Sequence, residues 1–329
     1  MIREMDGDQI RIAIDATQVY EAWLDAEHEF RHSYAGRMNW SKINGQQYLY
    51  RITRDKRKSL GRRSPETEKL LQDYQTARRR VRERCKRLRS KLDKQARINR
   101  AYGLGRMPRT AAKVLRALDA AGVLGSNVVV VGTHSLYAYE AAAGVTIDSA
   151  VLATSDIDLL LDARRRLRLA TIDGEPESFL SIIRSVDRSF EKMSQTFRAA
   201  NKDGYMVDLI RPMETDEMSS NTESIDGDLE PVAIAGLEWL INAPKFERIA
   251  IADDGIPVRI VCTDPRAYAL YKHWLASNAQ GRETDKRRRD LEQARVAGKI
   301  AKEYLGLKFR RRDLAALPKH LAEAANKVA

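Results

Sequence analysis

Hydrophobic and polar positions follow three different rhythms along the chain, and the changes of rhythm divide it. Gln18 to His32 carries Val19, Trp23, Ala26 and Phe30 partly on one face, which predicts a short helix. Gln47 to Thr53 alternates and predicts a strand, followed by a basic loop from Arg54 to Arg63. Ser64-Pro65-Glu66 reads as a helix start, with a Ser N-cap, Pro at the first helical position and acids in the first turn. Beyond it Leu70, Tyr74, Ala77, Val81, Cys85, Leu88 and Leu92 recur at spacings of four and three. That is one narrow apolar stripe on a long basic rod ending near Arg100.

Gly103 to Arg109, with glycines at both 103 and 105 and Pro108, predicts a linker. A helix over Thr110–Ala121 follows, and the grammar then turns to short buried segments. These are Asn127–Val131, a helix over Thr133–Ala143, Ile157–Leu161, Pro176–Val186, Tyr205–Ile210 and a helix over Ala233–Asn242. Phe246–Ala252 and Pro257–Cys262 flank Asp253-Asp254-Gly255 as a hairpin. Helices over Asp264–Ser277, capped by Asp264, and Lys286–Leu305 close the chain. The pattern predicts an α/β (α+β) fold: a small mixed-sheet core with helical additions at both ends. The expected divisions are an N-terminal helical region over 1–108 with a basic arm at 51–100, a core over 109–263, and a C-terminal helical region over 264–329.

Composition narrows the class. The 329 residues contain no apolar run near the roughly 18–20 that a membrane span needs. Met1 to Asp15 mixes acids with bases, so no signal peptide is expected. Cys85 and Cys262 are the only cysteines and lie far apart, which excludes a disulfide framework or a cysteine-rich zinc module and points to the cytosol.

Charge changes the picture more. The chain nets +12, but residues 51–100 hold 20 Lys/Arg against 6 Asp/Glu, or +14, so the remainder nets −2. Such a concentration repels itself until counter-charge arrives, and a nucleic-acid backbone is the expected partner, RNA ahead of DNA. Arg78, Arg79, Arg82 and Lys86 are the expected phosphate contacts. Trp40, Tyr48 and Tyr50, beside the basic loop, are expected to pack in the core, with stacking on bases as the alternative.

The chemistry lies between Val128 and Ile210. Four valines, Val128–Val131, run into Gly132-Thr133-His134-Ser135 at a helix start, where free N–H groups and hydroxyls can hold phosphate. Asp156 and Asp158 flank Ile157, and in a strand residues two apart share a face. Two adjacent carboxylates call for a cation, and hard divalent ions prefer oxygen ligands. Asp208 sits alone within Tyr205-Met206-Val207-Asp208-Leu209-Ile210, where a carboxylate is expensive to bury without a partner. His134 reads as a packing or hydrogen-bonding residue and Asp290 as the ion-pair partner of a neighbouring arginine.

These pieces resemble the DNA polymerase β-like nucleotidyltransferase superfamily. Gly132-Thr-His-Ser-Leu-Tyr-Ala-Tyr-Glu140, Ala153-Thr-Ser-Asp-Ile-Asp-Leu159, Asp264-Pro-Arg-Ala-Tyr-Ala-Leu-Tyr-Lys272 and Lys286-Arg-Arg-Arg-Asp-Leu291 look like a bacterial branch of it. The resemblance covers roughly Thr110 to Leu305. Thr133 stands where the superfamily usually has Gly or Ser, and the interval from Gly132 to Asp156 is longer than usual. The resemblance implies that Asp156, Asp158 and Asp208 hold Mg²⁺ or Mn²⁺ and catalyse transfer of a nucleoside monophosphate from an NTP. It implies that Gly132, Thr133, Ser135 and Lys272 bind the nucleotide. Arg288 and Arg289 are candidate phosphate contacts, with a solvated run over Lys286–Arg289 as the alternative. The expected acceptor is RNA, such as a tRNA end, with a role as a toxin or defence component. A protein or small-molecule acceptor, or an inactive nucleic-acid-binding scaffold, is the alternative. A cognate antitoxin or self-association through the long helix is the expected protein partner.

Overall fold

The computed structural model describes residues 2–53, 56–162, 178–213, 227–278 and 282–328. Strand β1 (Ile2–Glu4) leads into helix α1 (Gly7–Ser33). The helix starts well before Gln18 because Asp6 and Gln9 form a reciprocal cap: Gln9 N–H donates to Asp6 Oδ1 at 2.8 Å and Asp6 N–H to Gln9 Oε1 at 3.2 Å. Ile12, Ala16 and Tyr20, at four-residue spacing, supply the buried face of this earlier part.

Strands β2 (Arg37–Ile43), β3 (Gln46–Ile52) and β4 (Arg57–Arg62) form an antiparallel three-stranded sheet. The expected basic loop is therefore a strand from Arg57 onward, while Arg54 lies outside the described residues. Alternation in β4 is masked because most of its side chains are charged or small. Helix α2 (Pro65–Ala101) starts at a second capping box, Ser64 with Thr67. Its stripe packs on α1 through Val81, Cys85 and Ala26, with Phe30, Tyr34 and Leu88 around them. Leu70 departs from the expected stripe and is 43% exposed. Tyr74, whose hydroxyl donates to Tyr34 O at 3.3 Å, packs where α2 begins to outrun α1. At the other end, buried Asn99 donates Nδ2–H to Gly255 O at 2.8 Å and ties the rod to the core.

The core contains α3 (Arg109–Ala120), β5 (Val128–Val131), a 3₁₀ turn over Gly132–His134, α4 (Ser135–Ala143), β6 (Val145–Ile147), α5 (Ser149–Leu152) and β7 (Asp156–Leu161). It continues through α6 (Phe179–Val186), β8 (Glu191–Lys192), β9 (Arg198–Ala200), β10 (Met206–Pro212), β11 (Val232–Ile234), α7 (Leu237–Asn242), β12 (Lys245–Ile251) and β13 (Pro257–Thr263). The start of the segment expected at Pro176 lies outside the described residues. The helix expected over Ala233–Asn242 is split: Ala233 and Ile234 pair with β10, and the helix begins only after Gly236, whose φ of 83° breaks the run.

The main sheet has the order β12-β13-β5-β7-β10-β9-β8, with β11 added beside β10. It is mixed: β5 runs antiparallel to β7, and β7 parallel to β10. Helices α8 (Pro265–Asn278), α9 (Thr284–Lys299) and α10 (Lys319–Glu323) complete the chain, with a π turn over Ile300–Tyr304 after α9. One continuous cluster of buried side chains runs from Met107 to Val328. Among the described residues no helix is long and apolar enough to cross a membrane.

Leu92 is fully buried on the stripe of α2. Leu92→Ala is expected to lower unfolding stability by about 2–5 kcal/mol, through the forfeited transfer energy and the cavity left behind. Urea unfolding followed by circular dichroism measures it.

Candidate active site

The sheet register builds the site. Asp158 lies opposite Val131 of β5 on one side and Asp208 of β10 on the other. Asp208 in turn lies opposite Arg198 of β9. Paired residues on adjacent strands point to the same face, so Asp158, Asp208 and Arg198 stand in one row across the sheet. Asp156, two residues before Asp158, joins that face. Carboxylate oxygens of Asp156, Asp158 and Asp208 all lie within 4.8 Å of one another. Asp208 is buried and the other two are partly exposed. The structure thus brings together the three acids singled out in the sequence.

Three like charges this close need compensation, and the fold supplies it unevenly. Arg198 grips Asp208 with both arms of its guanidinium, Nε to Oδ1 at 2.6 Å and Nη2 to Oδ2 at 2.5 Å. This is the partner that a carboxylate embedded among Val207, Leu209 and Ile210 requires. Asp156 accepts from the Thr154 hydroxyl. Asp158 has less help: burial first, then the charge of Asp156, pushes its pKa up to about 7, against the opposing pull of Lys272. Oxygen-only donors and an uncompensated carboxylate fit a hard divalent cation such as Mg²⁺ or Mn²⁺.

Gly132 serves this carboxylate directly. Its φ is +68°, and a Cβ built there would stand 2.1 Å from Asp158 Oδ2. The first demand on the glycine is thus the close approach of Asp158, in addition to any approach of phosphate. Thr133 and Ser135 are buried, with Thr133 Oγ1 accepting from Gln293 Nε2 at 3.1 Å and the Ser135 hydroxyl donating to Val130 O at 3.2 Å. Their side chains lock the turn to α9 and β5. His134 is buried beside the Tyr205 hydroxyl, and burial pushes its pKa down to about 4, so it is neutral at pH 7. That matches the packing role expected of it.

Helices α8 and α9 close one side. Lys272 is buried on α8, its Nζ 2.9 Å from Asp290 Oδ1. Asp290 also accepts from Arg282 Nε at 2.5 Å, so it is an ion-pair residue as expected, shared between two cations. Lys272, Arg282 and Asp290 together carry +1 facing Asp158. Gln293 bridges the Tyr268 hydroxyl, Thr133 and Val151 O. Arg289 donates Nη1–H to Ala153 O at 3.1 Å, while its buried Nε has no hydrogen-bond partner among the described residues. A buried donor left open beside the segment leading into Asp156 suits an anion. Arg288 points elsewhere: it is exposed and pairs with Asp285 at 3.5 Å.

Arg198 and Gln293 were not anticipated. Asn201-Lys202-Asp203-Gly204 between Phe197 and Tyr205 is a hairpin signal; counting back from it sets Arg198 against Asp208. Gln293 carries no comparable local signal, since it is one polar residue on a polar helix.

The raised pKa of Asp158 fixes a sign. The folded protein holds this proton up to about pH 7, whereas the unfolded chain releases it near 3.8. Ionised Asp158 therefore weakens the fold progressively as pH rises from about 4 through about 7. Asp158→Asn is expected to raise the melting temperature relative to the parent at pH 8 and to change it little at pH 4.5. Mg²⁺ should stabilise the parent more at pH 8 than at pH 4.5. Scanning fluorimetry with Mg²⁺ or EDTA checks both, and a pH-independent difference contradicts the assignment.

No curated protein and no solved structure matches the chain, whereas the nucleotidyltransferase family profile matches residues 109–318. That stretch includes the three acids, the Gly132 turn and the helices that carry Lys272, Arg289 and Gln293. The chain belongs to the nucleotidyltransferase family and is a transferase of nucleoside monophosphates.

Proposed function

We propose that the protein transfers a nucleoside monophosphate from an NTP to an RNA acceptor with Mg²⁺ or Mn²⁺. The observation that carries this reading is the in-register cluster of Asp156, Asp158 and Asp208 at the centre of the family core. In the reaction an acceptor hydroxyl attacks the α-phosphorus, the bond to the β-phosphate oxygen breaks, and pyrophosphate leaves. Asp156 and Asp158 are the residues to hold the cation that engages the triphosphate, with Asp208 completing the set. Bound there, a divalent cation lowers the pKa of an attacking hydroxyl and offsets charge on phosphate oxygens. The chain's own contribution is positioning and fixed charge. Arg198 orients Asp208, Lys272 and the open Nε of Arg289 supply positive charge for the phosphates, and the Gly132 turn presents backbone N–H groups.

RNA is favoured as acceptor by the arm. Arg79, Arg82 and Lys86 are exposed on α2, whereas Arg78 donates Nε–H to Tyr34 O at 3.1 Å and lies 5.7 Å from the Phe30 ring. Of the four expected contacts, Arg78 therefore also holds α1 to α2.

With radiolabelled NTP, Mg²⁺ and total RNA, the parent is expected to label RNA. Asp208→Asn should lower the rate at least 100-fold while retaining a cooperative melt, and near-parental labelling by this variant overturns the site. Labelling of the protein or of a small molecule in place of RNA replaces the acceptor, and absence of all transfer under these conditions favours a scaffold. A second test combines Arg79→Gln, Arg82→Gln and Lys86→Gln, leaving Arg78 intact. RNA affinity should fall, and the log–log salt slope should flatten by about 0.7–0.9 for each phosphate that the variant no longer neutralises. Filter binding across a salt series measures it.

A further inference from the structure

The three-stranded sheet of the arm has two unlike faces. On one, Leu49 is fully buried, and Arg51 lies 5.0 Å from the Tyr74 ring of α2 and donates to Ser33 O at 2.8 Å. Trp40, paired with Leu49, belongs to this helix-facing side. The other face carries Tyr48 and Tyr50, placed by register beside Ser41 and Asn39 of β2 and beside Arg62 and Ser59 of β4. Arg57 lies over the Tyr50 ring at 4.0 Å and Arg62 over the Tyr48 ring at 5.8 Å. No residue of the three strands is acidic. Both tyrosines are partly exposed and the arginines exposed.

We propose that this outer face is a stacking platform for single-stranded RNA. Alternate tyrosines on one strand present rings at a spacing that unstacked bases can share, and flanking guanidiniums stack or meet phosphates. Charge complementarity selects a polyanion. The neutral side chains of Asn39, Ser41 and Ser59 offer donors and acceptors of the kind a 2′-hydroxyl uses. Position supplies a further argument. The sheet leads directly into the start of α2, and α2 meets the core at its far end through Asn99. The 37 residues between span about 55 Å. The platform thus sits at the opposite end of this strongly basic helix from the Asn99 anchor, which deepens the RNA reading of the acceptor and rests on it.

Fluorescence anisotropy with labelled oligo(U), oligo(dT) and a duplex RNA of equal length tests the platform on the full chain. Tyr48→Ala with Tyr50→Ala should weaken oligo(U) binding at least tenfold and leave the salt slope unchanged. Tyr48→Phe with Tyr50→Phe should bind as the parent does. Duplex RNA should bind more weakly than oligo(U) and respond little to the Ala pair. Ultraviolet crosslinking of oligo(U) to the unaltered protein, mapped by mass spectrometry, should place adducts on Tyr48 or Tyr50, which keeps the test independent of how the variants fold. Tight oligo(U) binding that the Ala pair leaves intact, with adducts confined to α2, overturns the platform and spares RNA as acceptor. Equal preference for oligo(dT) overturns selection of RNA. Absence of RNA binding overturns both, whereas NTP labelling of another acceptor would then show the core to be active.

Discussion

Three carboxylates held within 4.8 Å of one another are the constraint on which the core turns. Register makes the cluster obligatory: once β10 pairs in parallel with β7, Asp208 has no place but beside Asp158. Mutual repulsion at this separation is large wherever water is scarce. The surrounding structure answers it by degrees. Arg198 clasps Asp208 through both carboxylate oxygens, Lys272 acts on Asp158 from across the site, and Gly132 leaves room for the Asp158 carboxylate. The negative charge left over is of the kind that a hard cation offsets.

The same constraint bears on α8 and α9, whose Lys272 acts on Asp158. A buried lysine facing Asp158 needs a hydrogen-bonded counter-charge of its own. Asp290 holds Lys272 in place, and Arg282 restores the positive balance that Asp290 removes. Gln293 then ties this helix pair to the Gly132 turn through Thr133, so the two sides of the site keep a common geometry. Polar groups so thoroughly engaged leave the open Nε of Arg289 conspicuous, a donor placed for an anion.

The arm obeys different physics. α1 and α2 bury a narrow seam between them, and Arg78 and Arg84 reach across to Tyr34 O and Glu29. Most of the remaining charge on α2 stays in water. A rod of this kind is poor in core and rich in field, suited to long-range attraction of a polyanion. Its tip carries aromatic rings in a sheet too small to bury them, and its base is fastened to the β12–β13 turn by a buried amide. The basic surface and the acidic cluster are thereby carried by different parts of one chain.

The sequence by itself determined the long helix and its Ser64 start, the mixed α/β core and the three acids that the fold brings together. These are local properties: capping chemistry, period and a carboxylate embedded among apolar neighbours are all visible within a few residues. It also determined that Asp290 is a salt-bridge residue and His134 a packing one. Tertiary structure alone decided the rest. The early part of α1 rests on a thin face of Ile12, Ala16 and Tyr20, whose burial depends on distant partners. β4 hides its alternation under charge and became a strand only by pairing with β3. Leu70 falls outside the buried stripe because α1 ends too soon to cover it. That Arg198 clasps Asp208, that Gly132 answers to Asp158, and that Lys272 faces the acids from within an ion-pair network are facts of register and long-range packing. Such pairings join residues far apart in sequence, and no short window of the chain contains both ends.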